Sequence, residues 1–269
     1  MESKPKVNSM NEWIRAATIS PKGDEKTILR NEVFPNLVKS LISKGVQIKS
    51  LIDVGADAGF VTELIRQNKS GNVLDTTAID VNSHQSNILS ASYGEVFFDG
   101  WADWHNKFPE KKSDLIISSH NLYYFNNPKQ IVEQMGEHLN PEGRICLILE
   151  NFDTGKLKML QSVGVLHPDD VVVPNNDVVI INSRKFVEQL SEAFDVDEYY
   201  DIPITVSFNN FEEALSRCKE FFAGRSIPEQ QIKSLLQSDL TQEPDGTYKW
   251  RRDSVLIMLK KRKYNPQSK

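Results

Sequence analysis

The sequence predicts a doubly wound α/β fold: a seven-stranded, mostly parallel sheet with helices on both faces and a helical cap. Three observations predict it. Residues 51–80 read as strand, glycine turn, helix, strand and terminal acid, the pattern of a nucleotide-binding βαβ unit. From there to Glu150, apolar runs alternate with helical stripes, the signature of a parallel sheet. Further on, helical segments fall between the last two strand-like runs and form a natural cap.

Residues 1–48 form an N-terminal helical cap segment. Trp13, Ile14 and Ala17 mark a short amphipathic pattern over 11–19. Ile28, Leu29, Val33, Leu37, Val38, Leu41 and Ile42 recur at helical spacing over 27–43, with Pro35 expected to kink or split that helix. The nucleotide-binding domain, 49–269, opens with a strand at 51–54. After Gly59 a helix carries Val61, Leu64 and Ile65 on one face, and a second strand runs over 73–79. A helix at 83–91 and a strand at 95–99 follow. The strand at 114–119 has a continuous apolar centre that suits burial on both faces. Ile131, Val132, Met135 and Leu139 stripe a helix over 128–139, then a turn at 140–143 leads into a strand at 144–150.

The second half is less regular. A short helix is expected at 156–163 and an apolar segment at 171–181, broken at 174–177. Ser183 reads as the N-cap of a helix reaching residue 194. The strand at 196–208 contains Pro203, which demands an edge or a bulge. Two helices, 211–222 and 228–240, lie in an insert at about 209–246. The last strand, 248–259, ends in the basic tail 260–263.

The length of 269 residues fits one large domain or one domain with a substantial cap. With 39% hydrophobic and 26% charged residues, the composition is that of a soluble globular protein. A net charge of −5 argues against a broad phosphate-binding surface, and so against nucleic acid. Cys146 and Cys218 lie far apart with no metal spacing around them, and no disulfide framework is indicated. His167-Pro168-Asp169-Asp170 lacks a second histidine at ligand spacing, so no metal is expected. No apolar run approaches the ~18 residues of a membrane span, and the expected compartment is the cytoplasm.

A dinucleotide site wants G-x-G-x-x-G. Gly55-Ala56-Asp57-Ala58-Gly59 instead keeps the outer glycines of G-x-G-x-G, with an acid in the middle. With Asp53 before it, this stretch resembles motif I of class I S-adenosylmethionine (SAM) methyltransferases, which have a Rossmann-like fold. Three further segments are similar to that family's motifs and fall in the same order: 98–103 after the third strand, 113–120 at the fourth, and 139–144 before the fifth. Asn121-Leu122-Tyr123-Tyr124-Phe125 and Asp80-Val81-Asn82-Ser83-His84-Gln85 narrow the resemblance to histamine N-methyltransferase and its relatives.

The resemblance implies SAM as cofactor and a set of residues that hold it. Asp53, Gly55, Asp57 and Gly59 belong to the turn, with Asp57 at the methionine end. Asp80 would bind the ribose, flanked by Val81 and Gln85. Gly100, Trp101 and Ala102 would meet the adenine, with Trp101 able to stack on it, and Ser119 and His120 would close the site at the fourth strand. It also implies polar substrate contacts from Asp24 or Glu25 and from Asp253.

Methyl transfer is an in-line displacement at a carbon already activated by the sulfonium, so no triad or metal is needed. His120 is the candidate base. Tyr123 and Tyr124 are candidates for an aromatic wall around an amine, Tyr124 more so, as it aligns with the family's substrate-contacting aromatic. The expected partner is therefore a small-molecule amine. Two alternatives are weighed against it: a protein or nucleic-acid methyltransferase, and a SAM-binding protein without turnover. His120-Asn121-Leu122-Tyr123 in place of [DN]-P-P-[YF] counts against the first, and Asp57 keeps the second open. A dehydrogenase would suit Asp80 but not the glycine spacing.

Overall fold

The computed structural model describes residues 27–68, 74–175, 178–222 and 227–262. The predicted helix at 11–19 and the candidate acids Asp24 and Glu25 lie outside them. The strands of the main sheet are β1 (Ser50–Val54), β2 (Asp75–Ile79), β3 (Glu95–Phe97), β4 (Ser113–Ser119), β5 (Leu139–Glu150), β8 (Phe194–Ile202) and β12 (Ser254–Lys261). They are ordered β3-β2-β1-β4-β5-β12-β8. The first five are parallel, and β12 runs antiparallel to both its neighbours. The seven-stranded, mostly parallel sheet is thus present as predicted.

Strand alternation divides the core between two faces. Ile52, Ile116, Leu147, Leu149 and Ile257 point into one cluster; Leu51, Leu115, Ile117, Cys146, Ile148 and Leu256 point into the other. Helix α1 (Phe34–Ser43) joins the second cluster through Phe34, Leu37 and Leu41. The turn before α1, Leu29–Val33, is wound as a π-helix, and Pro35 sits in the first turn of α1. The proline therefore divides the helix into two windings, because a ring without an N–H is accommodated at a helix start and not in its interior. Helix α2 (Phe60–Asn68) follows the glycine turn and packs Val61, Leu64 and Ile65 into the same cluster.

Helix α3 (Ser86–Ser92) follows a single 3₁₀ turn, Ser83–Gln85. Helix α4 (Trp101–Lys107) was not expected from the sequence, although Trp101, Trp104 and Phe108 fall at helical spacing. Helix α5 (Pro128–Glu137) is capped by Asn127, whose side chain accepts from the Gln130 N–H. The turn expected at 140–143 survives as an irregularity inside β5: Ser113 pairs with Leu139, but Leu115 pairs with Arg144.

Helix α6 (Gly155–Ser162) is followed by a hairpin, β6 (Val172–Asn175) and β7 (Val178–Ile181), outside the main sheet. Helix α7 (Ser183–Leu190) is capped by Asn182, not Ser183: the Asn182 side chain accepts from the Lys185 N–H, whereas the buried Ser183 hydroxyl has no hydrogen-bond partner among the described residues.

Both long strands expected in the second half break at the same level. One stops at Ile202 and resumes, past Pro203, as β9 (Thr205–Phe208); the other divides into β11 (Tyr248–Arg251) and β12. The separated pieces pair with each other and with β10 (Leu240–Gln242) in a three-stranded antiparallel sheet, ordered β10-β11-β9. Helices α8 (Phe211–Phe221) and α9 (Glu229–Asp239) pack with this sheet and α6 around Met159, Leu215, Cys218, Leu236 and Trp250. Residues 209–246 thus carry the two helices expected of them and one strand, β10, which pairs with β11 just beyond.

Candidate functional site

The site begins where β1 ends. Gly55 (φ +72°) and Gly59 (φ +72°) both need the left-handed backbone that glycine adopts freely. Each is also closely overlaid by another side chain. A Cβ on Gly55 would lie 2.4 Å from Asn121 Cγ, and one on Gly59 would lie 3.0 Å from the Tyr93 ring. Asp57 takes the same left-handed conformation (φ +47°), which aspartate tolerates better than most side chains. The turn thus keeps a glycine-like path with an exposed carboxylate at its middle.

Asp80 follows β2 and is buried. Its Oδ2 accepts the Asp57 N–H at 2.8 Å and its Oδ1 accepts the Asn82 N–H at 2.7 Å. Each oxygen keeps a lone pair for a further donor. Burial raises the Asp80 carboxyl above its ordinary range and the Asp57 charge adds to this, while the two backbone N–H groups oppose it. The Asp80 N–H donates to Phe97 O, which joins the tips of β2 and β3. Val81 and Phe98, just beyond those tips, are exposed apolar side chains. Gln85 closes the 3₁₀ turn after Asp80.

Asp53 lies inside the protein. Its Oδ2 accepts from Thr62 Oγ1 at 2.7 Å and from the Tyr93 hydroxyl at 2.6 Å. The residue therefore pins the end of β1 to α2 and to the loop before β3, a structural role beside the cofactor role that the resemblance gives it. Burial, reinforced by the charges of Asp80 and Asp57, pushes its carboxyl up to about 6 against the two hydroxyl hydrogen bonds. A raised carboxyl pKa means that the folded state holds the proton more tightly than the unfolded chain. This contribution to stability is full below about pH 4 and is lost as pH rises through about 6. Asp53→Asn is expected to gain about 3 kcal/mol over the wild type at pH 8 relative to pH 4. Parallel urea-denaturation curves of the two proteins across that range would refute this.

Trp101 is also corrected. It opens α4 after the N-cap Gly100, is only 2% exposed, and donates its indole N–H to Gln134 on α5. It packs against Trp104 at 5.3 Å and edge-on to His138 at 5.5 Å, so no indole face is available to an adenine. The helical stripe that buries it was present in the sequence. Ala102, the next residue, is exposed.

The opposite wall is the end of β4. Ser119 and His120 are half-buried, and His120 is left-handed (φ +50°), with its N–H donating to Ile148 O at 2.9 Å. Its ring lies nearly parallel to that of Tyr123, 6.4 Å away. Tyr123 is buried, and its hydroxyl accepts the Glu150 N–H. It therefore supports the wall from behind and does not face an acceptor, which corrects its catalytic assignment. Tyr124 remains half-buried, its hydroxyl pushed up to about 12 by burial and then by the charges of Glu150, Asp57 and Asp80.

Asp253, a candidate substrate contact, lies inside the protein. It is 2% exposed, its Oδ1 accepts the Ile204 N–H at 3.2 Å, and its Oδ2 pairs with Arg251 at 2.6 Å. It ties together the joint where β9 and β11 leave the main sheet. Asn121, which packs on Gly55, is a site residue that motif matching overlooked, because its partner is distant in sequence. Among the described residues, no group of acids, histidines and cysteines is placed to hold a metal, and no helix is long and apolar enough to cross a membrane.

A parallel sheet with a glycine turn after its first strand and an acid at the tip of its second is the class I methyltransferase architecture. The chain belongs to the methyltransferase domain family, which matches residues 26–193. It is a SAM-dependent methyltransferase. The donor set fits that cofactor: the turn from Gly55 to Gly59 follows a left-handed path after β1, and Asp80 is an acceptor at the strand tip. No curated protein matches the sequence. Among solved structures, a candidate methyltransferase of Bacillus halodurans shares the fold at 16% identity and TM-score 0.52, over 83% of this chain and 97% of that one. The YcgJ protein of Bacillus subtilis shares it at 14% identity and TM-score 0.52, over 85% and 100%. NodS, an N-methyltransferase of Bradyrhizobium japonicum solved with S-adenosyl-L-homocysteine (SAH), aligns at 13% identity and TM-score 0.48, over 87% and 91%.

Proposed function

We propose that this enzyme methylates a small molecule at an amine nitrogen. The observation that carries this reading is the wall at the end of β4, where His120 and Tyr124 are half-buried side by side in sequence. A half-buried aromatic ring beside an imidazole suits a basic amine. The likeness of residues 121–125 to the histamine N-methyltransferase group supports the same substrate class.

When bound, SAM supplies an electrophilic methyl group. In this reading the residues of the chain supply position and a proton route. Asp80 accepts the ribose hydroxyls while holding the Asp57 N–H, so the turn and the nucleoside are fixed by one carboxylate. Gly55 lets the methionine end approach the backbone, with Asn121 beside it. Val81 and Phe98 offer apolar surface to the adenine in place of Trp101. His120, its backbone fastened to β5 and its ring beside Tyr123, takes a proton from the amine so that the nitrogen lone pair is free.

Asp80→Ala is expected to weaken SAM binding by roughly 100-fold, the loss of two hydrogen bonds to a charged acceptor. Calorimetry measures this, and Asp80→Asn separates charge from the loop contacts. Tritiated-methyl transfer into an amine pool tests the reaction. A wild-type protein that binds SAM but labels total RNA or cell protein, and no small amine, would overturn the substrate class.

A further inference from the structure

We infer that Asp57 makes the donor site select by charge, holding the cationic sulfonium donor in preference to the neutral thioether product. This rests on the proposal that SAM lies over the turn from Gly55 to Gly59. Asp57 occupies a position where the backbone is left-handed, so glycine would fit there without strain. A carboxylate stands there instead. Its backbone N–H already serves Asp80, a bond that any residue at position 57 other than proline could make, so the loop does not require this side chain.

The side chain is exposed, and among the described residues no ion pair neutralises it. Its place nevertheless puts the charge beside the site: Asp57 is left-handed in the turn between Gly55 and Gly59, and its N–H donates to Asp80 Oδ2 at 2.8 Å. A group seated on that turn next to Asp80 therefore lies in the Asp57 field. In methyl transfer the acceptor lone pair forms the new bond to carbon, the carbon–sulfur bond breaks, and its electron pair stays on sulfur. The ligand thereby loses one positive charge while its ammonium and carboxylate are unchanged. The same field that favours the donor ceases to favour the product, which assists product release.

Calorimetric titration of the full chain with SAM and, separately, SAH tests this on wild type, Asp57→Asn and Asp57→Gly. Asparagine and glycine both tolerate the left-handed backbone, so the two variants remove charge without forcing the turn. The wild type is expected to bind SAM about tenfold more tightly than SAH. In both variants the ratio should fall toward one, with the loss carried by SAM. Raised salt should weaken SAM binding to the wild type more than SAH binding. Equal losses for the two ligands would place the Asp57 charge on the amino-acid end they share and overturn the inference. An unchanged ratio would overturn it while leaving the cofactor site intact. Failure of the folded wild type to bind either ligand would remove the cofactor reading itself, and the inference with it.

Discussion

Gly55→Ala is expected to lower SAM affinity by well over tenfold, because two independent costs fall on one methyl group. The first is the backbone: φ is +72°, and forcing an L-residue into the left-handed region costs about 1–2 kcal/mol. The second is contact: the new Cβ would lie 2.4 Å from Asn121 Cγ and 2.7 Å from its Nδ2, so either Asn121 or the turn must move. The turn is held by Gly55 N–H donating to Ile79 O at 2.8 Å, and Asn121 by its place at the end of β4. Whichever yields, the space beside the methionine end changes. Gly246→Ala is the matched control. Its φ is +86° but nothing lies within 4 Å of the added Cβ, so it bears only the backbone cost. The control should lower the thermal midpoint and leave SAM affinity unchanged. In Gly55→Ala/Asn121→Ala, part of the lost affinity should return. If both single variants bind SAM equally well, contact with Asn121 has no part in shaping the site.

This pair of glycines also shows which features were legible in the sequence. Gly55 and Gly59 announce themselves because a nucleotide turn needs glycine at fixed spacing after a strand, and both the turn and Asp80 are local patterns. The order of strands up to Glu150 follows from the same local alternation. What sequence could not give was orientation. Asp53 and Tyr123 match functional motifs, yet each spends its polar atom inward, on Thr62 and Tyr93 in one case and on the Glu150 N–H in the other. Asp253 does likewise at the joint between the two sheets. That joint was hidden for another reason. Pro203 marked a break, but the pairing of β9 with β11 depends on residues forty or more positions apart, and a strand that changes partner looks continuous in the sequence. The burial of Trp101 is legible, since its stripe with Trp104 and Phe108 is a helical signal.

Glu150→Ala is expected to destabilise the fold by about 3–5 kcal/mol, the largest effect on stability of any substitution considered. Glu150 ends β5 and pairs with Lys156 at 2.8 Å, from α6, and with Arg252, from the link between β11 and β12. Its side chain is 12% exposed and that of Lys156 15%, so removing the carboxylate leaves two cations in poorly solvated positions. Replacing all three by apolar residues of similar size should restore much of the loss, since the penalty comes from unpaired charge and not from missing volume. The pH dependence separates this cluster from Asp53. Burial alone would raise the Glu150 carboxyl, but Lys156 and Arg252 outweigh it and hold it well below its ordinary value of 4.5. Its contribution is therefore full above that pH and is lost as pH falls below it, the opposite sign to Asp53. Two carboxylates at the ends of the parallel strands on either side of β4 thus respond oppositely to acid, because one faces cations while the other faces hydroxyls and further carboxylates. Glu150→Gln should flatten the acid limb of the stability profile, and Asp53→Asn should remove the decline between about pH 4 and 6. A Glu150→Gln protein that loses stability in acid as steeply as the wild type would show that the ion cluster does not hold α6 to the sheet.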